Sequence, residues 1–372
     1  MPPYEYDYVP LSGHKHSSRF SSRWWKFCFL ALLIIDAIFL SIYLVIVHKS
    51  YQFDPLDHFQ QLCVPSLLRC SLTYFLYRSN VSVVDMAVVP PLTSPSSPIN
   101  PEEHAVVSSL YTDSYLTAIT TLGHSLKAAN VKARMILVYM PDRLSPRTLC
   151  LARAAGWTMH PVDLVPPPHN GKGIHPQYTD QYTKLRIWTL DSIGIKSLVY
   201  LDADTLVRRN FDELFALPFN FAAVPDVFIN HRGFTIGFNA GVLFVRPSTA
   251  IFEDMMSKLE IAVYPPIMAE QAFLNVYFGS QVSRLPYAYN ANLAIKLRNP
   301  KLWDSMADDM RIVHYTLEKP FPKHGLGSQE SLKQFFRGRL TVQDGLYADA
   351  MVWWQESWRE MAIAMQSQPQ CS

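Results

Sequence analysis

The nearly unbroken apolar run from Phe27 to Val47 constrains this chain more than any other feature, because a stretch of that length fits the hydrocarbon thickness of a bilayer. Only Asp36 and Ser41 interrupt it, and one carboxylate does not outweigh the remaining hydrophobicity. A cleaved signal peptide fits poorly: the run starts late, is long for such a segment, and has no small-residue cleavage site before His48 and Lys49. Lys15, Arg19, Arg23 and Lys26 precede the run, whereas Lys49 alone follows closely before Asp54 and Asp57. The positive-inside rule then predicts a cytosolic N-terminus and a lumenal or extracellular body. A buried helix of a soluble protein is the competing reading, opposed by the length and by the interfacial pair Trp24 and Trp25.

This divides the chain into a cytoplasmic tail (1–26), a signal anchor (27–47), a stem (48–102), a folded domain (103–345) and a C-terminal extension (346–372). The stem ends in the Pro-rich stretch from Val89 to Pro101 and carries the sequon Asn80-Val-Ser82. The net charge of +2 leaves no electrostatic footprint for nucleic acid. None of the five cysteines forms a CxxC pair, and Cys63 and Cys70 are candidates for a local bridge in an oxidising compartment.

Within the folded domain, strand-like runs alternate with helical patterns. His104 to Leu110, Arg134 to Met140 and Thr158 to Leu164 read as strands, separated by a helix through Leu126 and one from Ser145 to Ala155, where Ser145 caps and Pro146 opens the first turn. Tyr182 to Leu190 reads as a helix feeding a strand at Leu198. Later pieces are strands at Phe221 to Pro225 and Gly237 to Val245, helices at Ala250 to Leu259 and Ala269 to Tyr277, and the short apolar segment Ile312 to Tyr315. The order implies an α/β fold with a parallel-rich sheet covered on both faces, in which ligands sit outside the carboxyl ends of the strands. No GxGxxG or GxxxxGK phosphate loop is present.

Asp202 and Asp204 lie at such a strand end, in Leu198-Val-Tyr-Leu-Asp-Ala-Asp-Thr-Leu-Val207. Strand geometry carried through them would face both carboxylates toward one cation, whereas the plainer reading is a surface turn. His314 and Lys319 offer an imidazole ligand and a phosphate partner, although His314 alone reads equally as a structural histidine. An apolar strand followed by Asp-x-Asp also resembles haloacid-dehalogenase-type phosphatases, with Asp202 as nucleophile. A non-catalytic, membrane-tethered sugar-nucleotide-binding protein is a further alternative.

The ordered set of segments narrows these readings. Tyr182-Thr-Lys-Leu-Arg-Ile-Trp188, YLDADTLVRRNFDELF, FNAGVLFV, the Glu270-Gln-Ala-Phe-Leu-Asn275 segment, LPYAYN and HYTLEKPF together resemble glycosyltransferase family eight, the group that includes glycogenin and galactinol synthase. The resemblance covers about His104 to Phe321 and suggests a membrane-anchored member of fungal type. It implies a GT-A fold, with a Rossmann-like mixed sheet flanked by helices and preceded here by the transmembrane helix. It also implies metal-dependent, retaining transfer of a hexosyl or N-acetylhexosaminyl group from a nucleotide-sugar donor, UDP-linked, to a glycan or small-molecule acceptor, in the Golgi membrane. By the same resemblance Asp202, Asp204 and His314 hold Mn2+, with Mg2+ as the alternative, and Lys319 meets the diphosphate. Lys184 and Ala203 face the donor, Asn239, Glu270 and Gln271 surround the transferred sugar, and Ser109, Tyr111 and Tyr115 hold the base. For the two tyrosines a core or rim aromatic is the competing reading. The chain departs from the family in two places: the His314 to Lys319 spacing is one residue shorter than HxxGxxK and lacks its glycine, and Glu270 stands where Asp is frequent.

Overall fold

The structure is a computed structural model that describes residues 34–44, 92, 100–322, 329–366 and 371. Met1–Phe53 and Asp54–Ser372 are separate units. Residues 34–44 are helical, and among the described residues no helix is long and apolar enough to cross a membrane. The rest of the Phe27 to Val47 run, the cytoplasmic tail, the Cys63 and Cys70 pair and the Asn80 sequon lie outside the described residues.

The larger unit is built on β1 (His104–Leu110), α1 (Leu116–Ala128), β2 (Arg134–Tyr139), α2 (Pro146–Ala154), β3 (Thr158–Pro161), β4 (Ser197–Leu201), β5 (Thr205–Val207), β6 (Phe221–Val227) and β7 (Phe234–Val245). After these come α3 (Thr249–Leu259), α4 (Ala269–Phe278), β8 (Ser283–Arg284), β9 (Ala291–Asn292), α5 (Leu293–Arg298), α6 (Pro300–Met306), β10 (Ile312–His314), α7 (Gln329–Leu340) and α8 (Ala348–Gln366). One sheet runs β3-β2-β1-β4-β7-β6-β8, and a small second sheet runs β5-β10-β9. β4 is the middle strand of the seven and β1 its neighbour; both are buried on two faces, so neither alternates, and β4 is apolar from Leu198 to Leu201 while β1 buries Ser108 and Ser109 within its run. The parallel arrangement expected from the sequence holds for β3, β2, β1 and β4, whereas β7 pairs antiparallel with both β4 and β6. The sheet is therefore mixed.

Ser145 accepts from the Thr148 N–H and Pro146 follows, as the capping signal predicts. The edge strand β3 ends at Pro161, three residues before the expected Leu164, where proline withholds a ladder donor. The segment expected to be helical at Tyr182 to Leu190 lies inside a longer 3-10 stretch, Pro176–Ile193. Its buried Tyr182, Leu185 and Trp188 recur every third residue, which is the period at which 3-10 side chains eclipse.

Apolar side chains fill both faces of the large sheet. α3, α4 and the 3-10 stretch cover one face through Trp188, Phe252 and Phe273, while α1 covers the other through Ile119, Leu122 and Leu126. A third core joins the small sheet to α5 through α8. The stretch read as a C-terminal extension contributes Ala350, Met351 and Trp354 to that core, and its Ala350 carbonyl accepts from Tyr315 Oη at 2.6 Å. Cys150 on α2 is disulfide-bonded to Cys371 across 221 residues, a pairing that the sequence did not suggest.

Candidate active site

The site forms where β4 stops. Asp202 N–H still donates to the Gly241 carbonyl of β7 at 2.8 Å, but Thr205 N–H and Oγ1 then return to the Asp202 carbonyl at 3.1 and 2.8 Å. Asp202 and Asp204 thus stand on a tight turn rather than on a continuing strand, and the turn brings their carboxylates together. Asp204 is largely enclosed, with 12% of its side chain exposed, so the plain surface turn does not describe it either.

β10 pairs antiparallel with β5 and sets His314 opposite Thr205, beside that turn. His314 Nε2 lies 3.3 Å from Asp204 Oδ1 and 3.9 Å from Asp202 Oδ2. The three ligand atoms fall within 4.8 Å of one another. Only glycine fits beneath the imidazole, since a Cβ at Gly241 would lie 2.1 Å from His314 Cε1. The other ring nitrogen, Nδ1, lies 3.0 Å from Asn290 Oδ1. An N–H at that position leaves Nε2 as the nitrogen that can ligate a metal beside the carboxylates, as metal-binding histidines require. Two carboxylates and one neutral imidazole nitrogen make a donor set that fits a divalent ion of the Mn2+ type, with Mg2+ as the harder alternative.

Two lysines meet this group, Lys184 at Asp202 and Lys319 at Asp204. Lys184 Nζ is buried and lies 2.7 Å from Glu270 Oε1, 3.1 Å from Asp202 Oδ1 and 3.2 Å from the Ala240 carbonyl. Burial pushes the Lys184 ammonium down, but the Asp202 and Glu270 carboxylates outweigh it and hold the group above the ordinary lysine value. Lys319 donates to Asp204 Oδ2 and folds back over its own loop to the Tyr315 carbonyl at 2.6 Å. Burial pushes the Asp204 carboxyl up, yet Lys319 and His314 hold it well below the usual carboxylate range. Among Asp202, Asp204, Glu270, Lys184 and Lys319, carboxylates outnumber ammonium groups by one, which favours a cation.

Of the expected sugar-side residues, Glu270 is taken up by Lys184, whereas Asn239 and Gln271 converge on Asp226. Gln271 Oε1 accepts from Ala240 N–H at 2.9 Å, and Gln271 Nε2 donates to Asp226 Oδ2 at 2.8 Å. Asn239 Nδ2 donates to Asp226 Oδ1 at 3.2 Å. Burial pushes the Asp226 carboxyl up against the opposing pull of Val227 N–H, Asn239 and Gln271. Asp226, Asn290 and Tyr200 had not been singled out from the sequence. Asp226 lies one residue past the expected end of β6 at Pro225, and Asn290 closes the LPYAYN segment.

The three residues expected at the base divide. Tyr200 Oη donates to Asp202 Oδ1 at 2.9 Å, so the Ser109 hydroxyl, 2.8 Å away, must be the donor to Tyr200. Ser109 is thereby committed to the metal-side carboxylate. Tyr111 is buried, and its enclosed hydroxyl has no hydrogen-bond partner of good geometry, with the Ser109 hydroxyl the polar side chain that acts on it. Tyr115 lies edge-on to Phe321 at 5.4 Å, and Ala203 sits half-buried in the turn. Burial and the Asp202 charge hold the Tyr200 hydroxyl far above its ordinary value, so it remains a donor at every working pH. Tyr200→Phe should weaken binding of a divalent ion by about tenfold, the lower end for losing a partner of a ligand, as measured by titration with Mn2+ as the probe.

Residues 107–322 match the family described as Glycosyl transferase family 8. Inositol phosphorylceramide glucuronosyltransferase 1 of Arabidopsis thaliana is 29% identical over 239 residues, which are 57% of this chain and 41% of that protein. Galactinol synthase 2 of Arabidopsis thaliana is 28% identical over 262 residues, 62% of this chain and 76% of the relative. The crystal structure of the glycosyltransferase GlyE of Streptococcus pneumoniae TIGR4 superposes with a TM-score of 0.46 at 20% identity, covering 73% of this chain and 66% of that one.

Proposed function

Because the chain belongs to glycosyltransferase family 8, we propose that it is a metal-dependent, retaining glycosyltransferase of GT-A type that moves a sugar from a UDP-linked donor to a glycan or small-molecule acceptor. The observation that carries this reading is the convergence of Asp202, Asp204 and His314 between two lysines. The donor sugar is hexosyl or N-acetylhexosaminyl in this reading.

A bound Mn2+ supplies charge for the diphosphate oxygens. Lys319, turned from Asp204 toward the leaving phosphate, adds a cation where charge grows as the glycosidic bond loosens. Lys184 stays behind as the counter-charge of Asp202 and Glu270. The Asn239 and Gln271 amides, fixed by Asp226, orient the sugar for attack by the acceptor on the same face. Tyr111 donates its hydroxyl to the bound nucleotide, beside Tyr115.

The phosphatase alternative is not supported. The family match replaces it, and the carboxylate it would use as nucleophile, Asp202, has one oxygen already taken up by Lys184 and Tyr200.

A Golgi location with the body in the lumen is part of the same proposal. It draws support from the apolar Phe27 to Val47 run, from the Ile34, Ile38 and Phe39 side chains exposed on the 34–44 helix, and from the Cys150–Cys371 bond, which suits an oxidising compartment. A C-terminal tag should be protected from protease in intact microsomes, and an accessible tag would reverse the topology.

The activity is tested by incubating the purified full chain with a panel of UDP-sugars. At least one donor should release UDP in the presence of Mn2+ and stop when the metal is chelated. Binding of UDP and Mn2+ without turnover of any donor would favour the non-catalytic alternative.

A further inference from the structure

We infer that Asn290 is the positioning residue that fixes the tautomer of His314 and ties the metal ligands to the sugar-side amides; the inference rests on the metal-dependent reading above. Asn290 is 1% exposed and sits between the turn Tyr287–Tyr289 and β9, which runs parallel to the strand bearing His314. Its Oδ1 faces His314 Nδ1 at 3.0 Å, and its Nδ2 faces Asn239 Oδ1, also at 3.0 Å.

The direction of every bond in this chain is forced. Gly241 N–H can only donate, and it donates to Asn239 Oδ1 at 3.0 Å. The amide nitrogen of Asn239 therefore faces Asp226 Oδ1 at 3.2 Å. With the Asn239 oxygen turned toward Asn290, Asn290 must present its own NH2 there. Its oxygen is then left for His314, whose Nδ1 must carry the proton. A backbone donor on β7 thus determines, through two amides, that Nδ1 carries a proton and that Nε2 is the nitrogen left to bind a metal ion beside Asp202 and Asp204. Among the described residues, Asn290 is the side chain hydrogen-bonded to both His314 and Asn239.

The two ends of Asn290 can be separated by substitution. Asn290→Ala removes both, freeing the imidazole to rotate or to take the other tautomer. Asn290→Asp keeps an acceptor for His314 Nδ1 but puts a second acceptor against Asn239 Oδ1. Mn2+ affinity of the full chain, titrated in the presence of UDP by the signal of the free ion, should fall about 10- to 100-fold in Asn290→Ala and stay near wild type in Asn290→Asp. Saturating Mn2+ should restore donor turnover in the alanine variant and not in the aspartate variant, because only the latter forces Asn239 to turn. Melting temperatures read in parallel identify a variant that has not folded, and Asn290→Ser, which keeps a small hydrogen-bonding group, then replaces it in the comparison with the affinity expected between the other two. Unchanged Mn2+ affinity in Asn290→Ala, or an equal loss in both variants, overturns the inference while leaving the glycosyltransferase reading intact. A wild-type protein that binds no Mn2+ overturns both.

Discussion

Lys184→Met should lower the stability of the folded body by about 3–5 kcal/mol, the scale of removing one partner from a buried ion pair. The Lys184 side chain is 2% exposed and Glu270, 2.7 Å away, is 7% exposed, so methionine would replace the aliphatic stem but strand a buried carboxylate. The ammonium also serves Asp202 and the Ala240 carbonyl and lies 4.9 Å from the centre of the Tyr200 ring. The loss is a penalty for the partner left behind rather than the worth of the pair. Lys184→Met combined with Glu270→Leu should therefore recover much of it in urea unfolding, even though the double variant has lost two charges. A double variant that unfolds as early as Lys184→Met would show that Asp202, not Glu270, is the group that needs the ammonium.

The pH dependence of this contribution has a definite sign. Lys184 is held above the ordinary lysine value once burial and the two carboxylates are weighed together. A raised cation stabilises fully below its unfolded value of about 10.4 and loses that contribution only as pH rises toward the folded value. Wild-type stability between about pH 6 and 9 should accordingly show no loss traceable to Lys184.

What could be read from the sequence follows from how local each signal was. The strands ending at Leu110 and Leu201 were legible because both are buried on two faces and leave short apolar runs, Ala105 to Val107 and Leu198 to Leu201. The cap at Ser145 needs only the four consecutive residues Ser145 to Thr148, and the structure has it. Asp202, Asp204 and His314 were legible as candidates because motif and order together mark them, and the structure brings them together, although the sequence could not show that a turn, rather than strand alternation, aligns the carboxylates. Pairings set by tertiary contact were out of reach. Lys184 meets Glu270 across 86 residues, and Cys150 meets Cys371 across 221. Asp226 escaped because Pro225 looked like the end of a strand, whereas β6 continues through Val227 with a register shift at the proline. The 3-10 stretch reads as an ordinary helix in the sequence, since three-residue and 3.6-residue periods diverge little over two turns.

Lys319→Ala should lower kcat for transfer and for donor hydrolysis by roughly two to three orders of magnitude, the scale of losing one well-placed electrostatic contact in the transition state. The shortened loop from His314 to Lys319 does not carry the lysine away from the site. Instead the ammonium bonds Asp204 and the Tyr315 carbonyl, while Arg339 of α7 holds Glu318 at 3.0 Å. This placement adds a second expectation of opposite sign. Lys319 and a metal ion draw on the same carboxylate, so removing the lysine should strengthen Mn2+ binding in the absence of nucleotide even as it slows the reaction. With UDP present the gain should shrink, because the diphosphate offers the lysine another anion. The melting temperature should change little, since the Lys319 side chain is 23% exposed and Asp204 keeps His314 beside it. The competing role for Lys319 is a surface side chain whose stem covers Phe321, and it predicts neither effect. Single-turnover transfer and Mn2+ titration on the same preparation separate the two. A chemical step unchanged in Lys319→Ala would remove the lysine from the mechanism even with Asp202, Asp204 and His314 established as ligands.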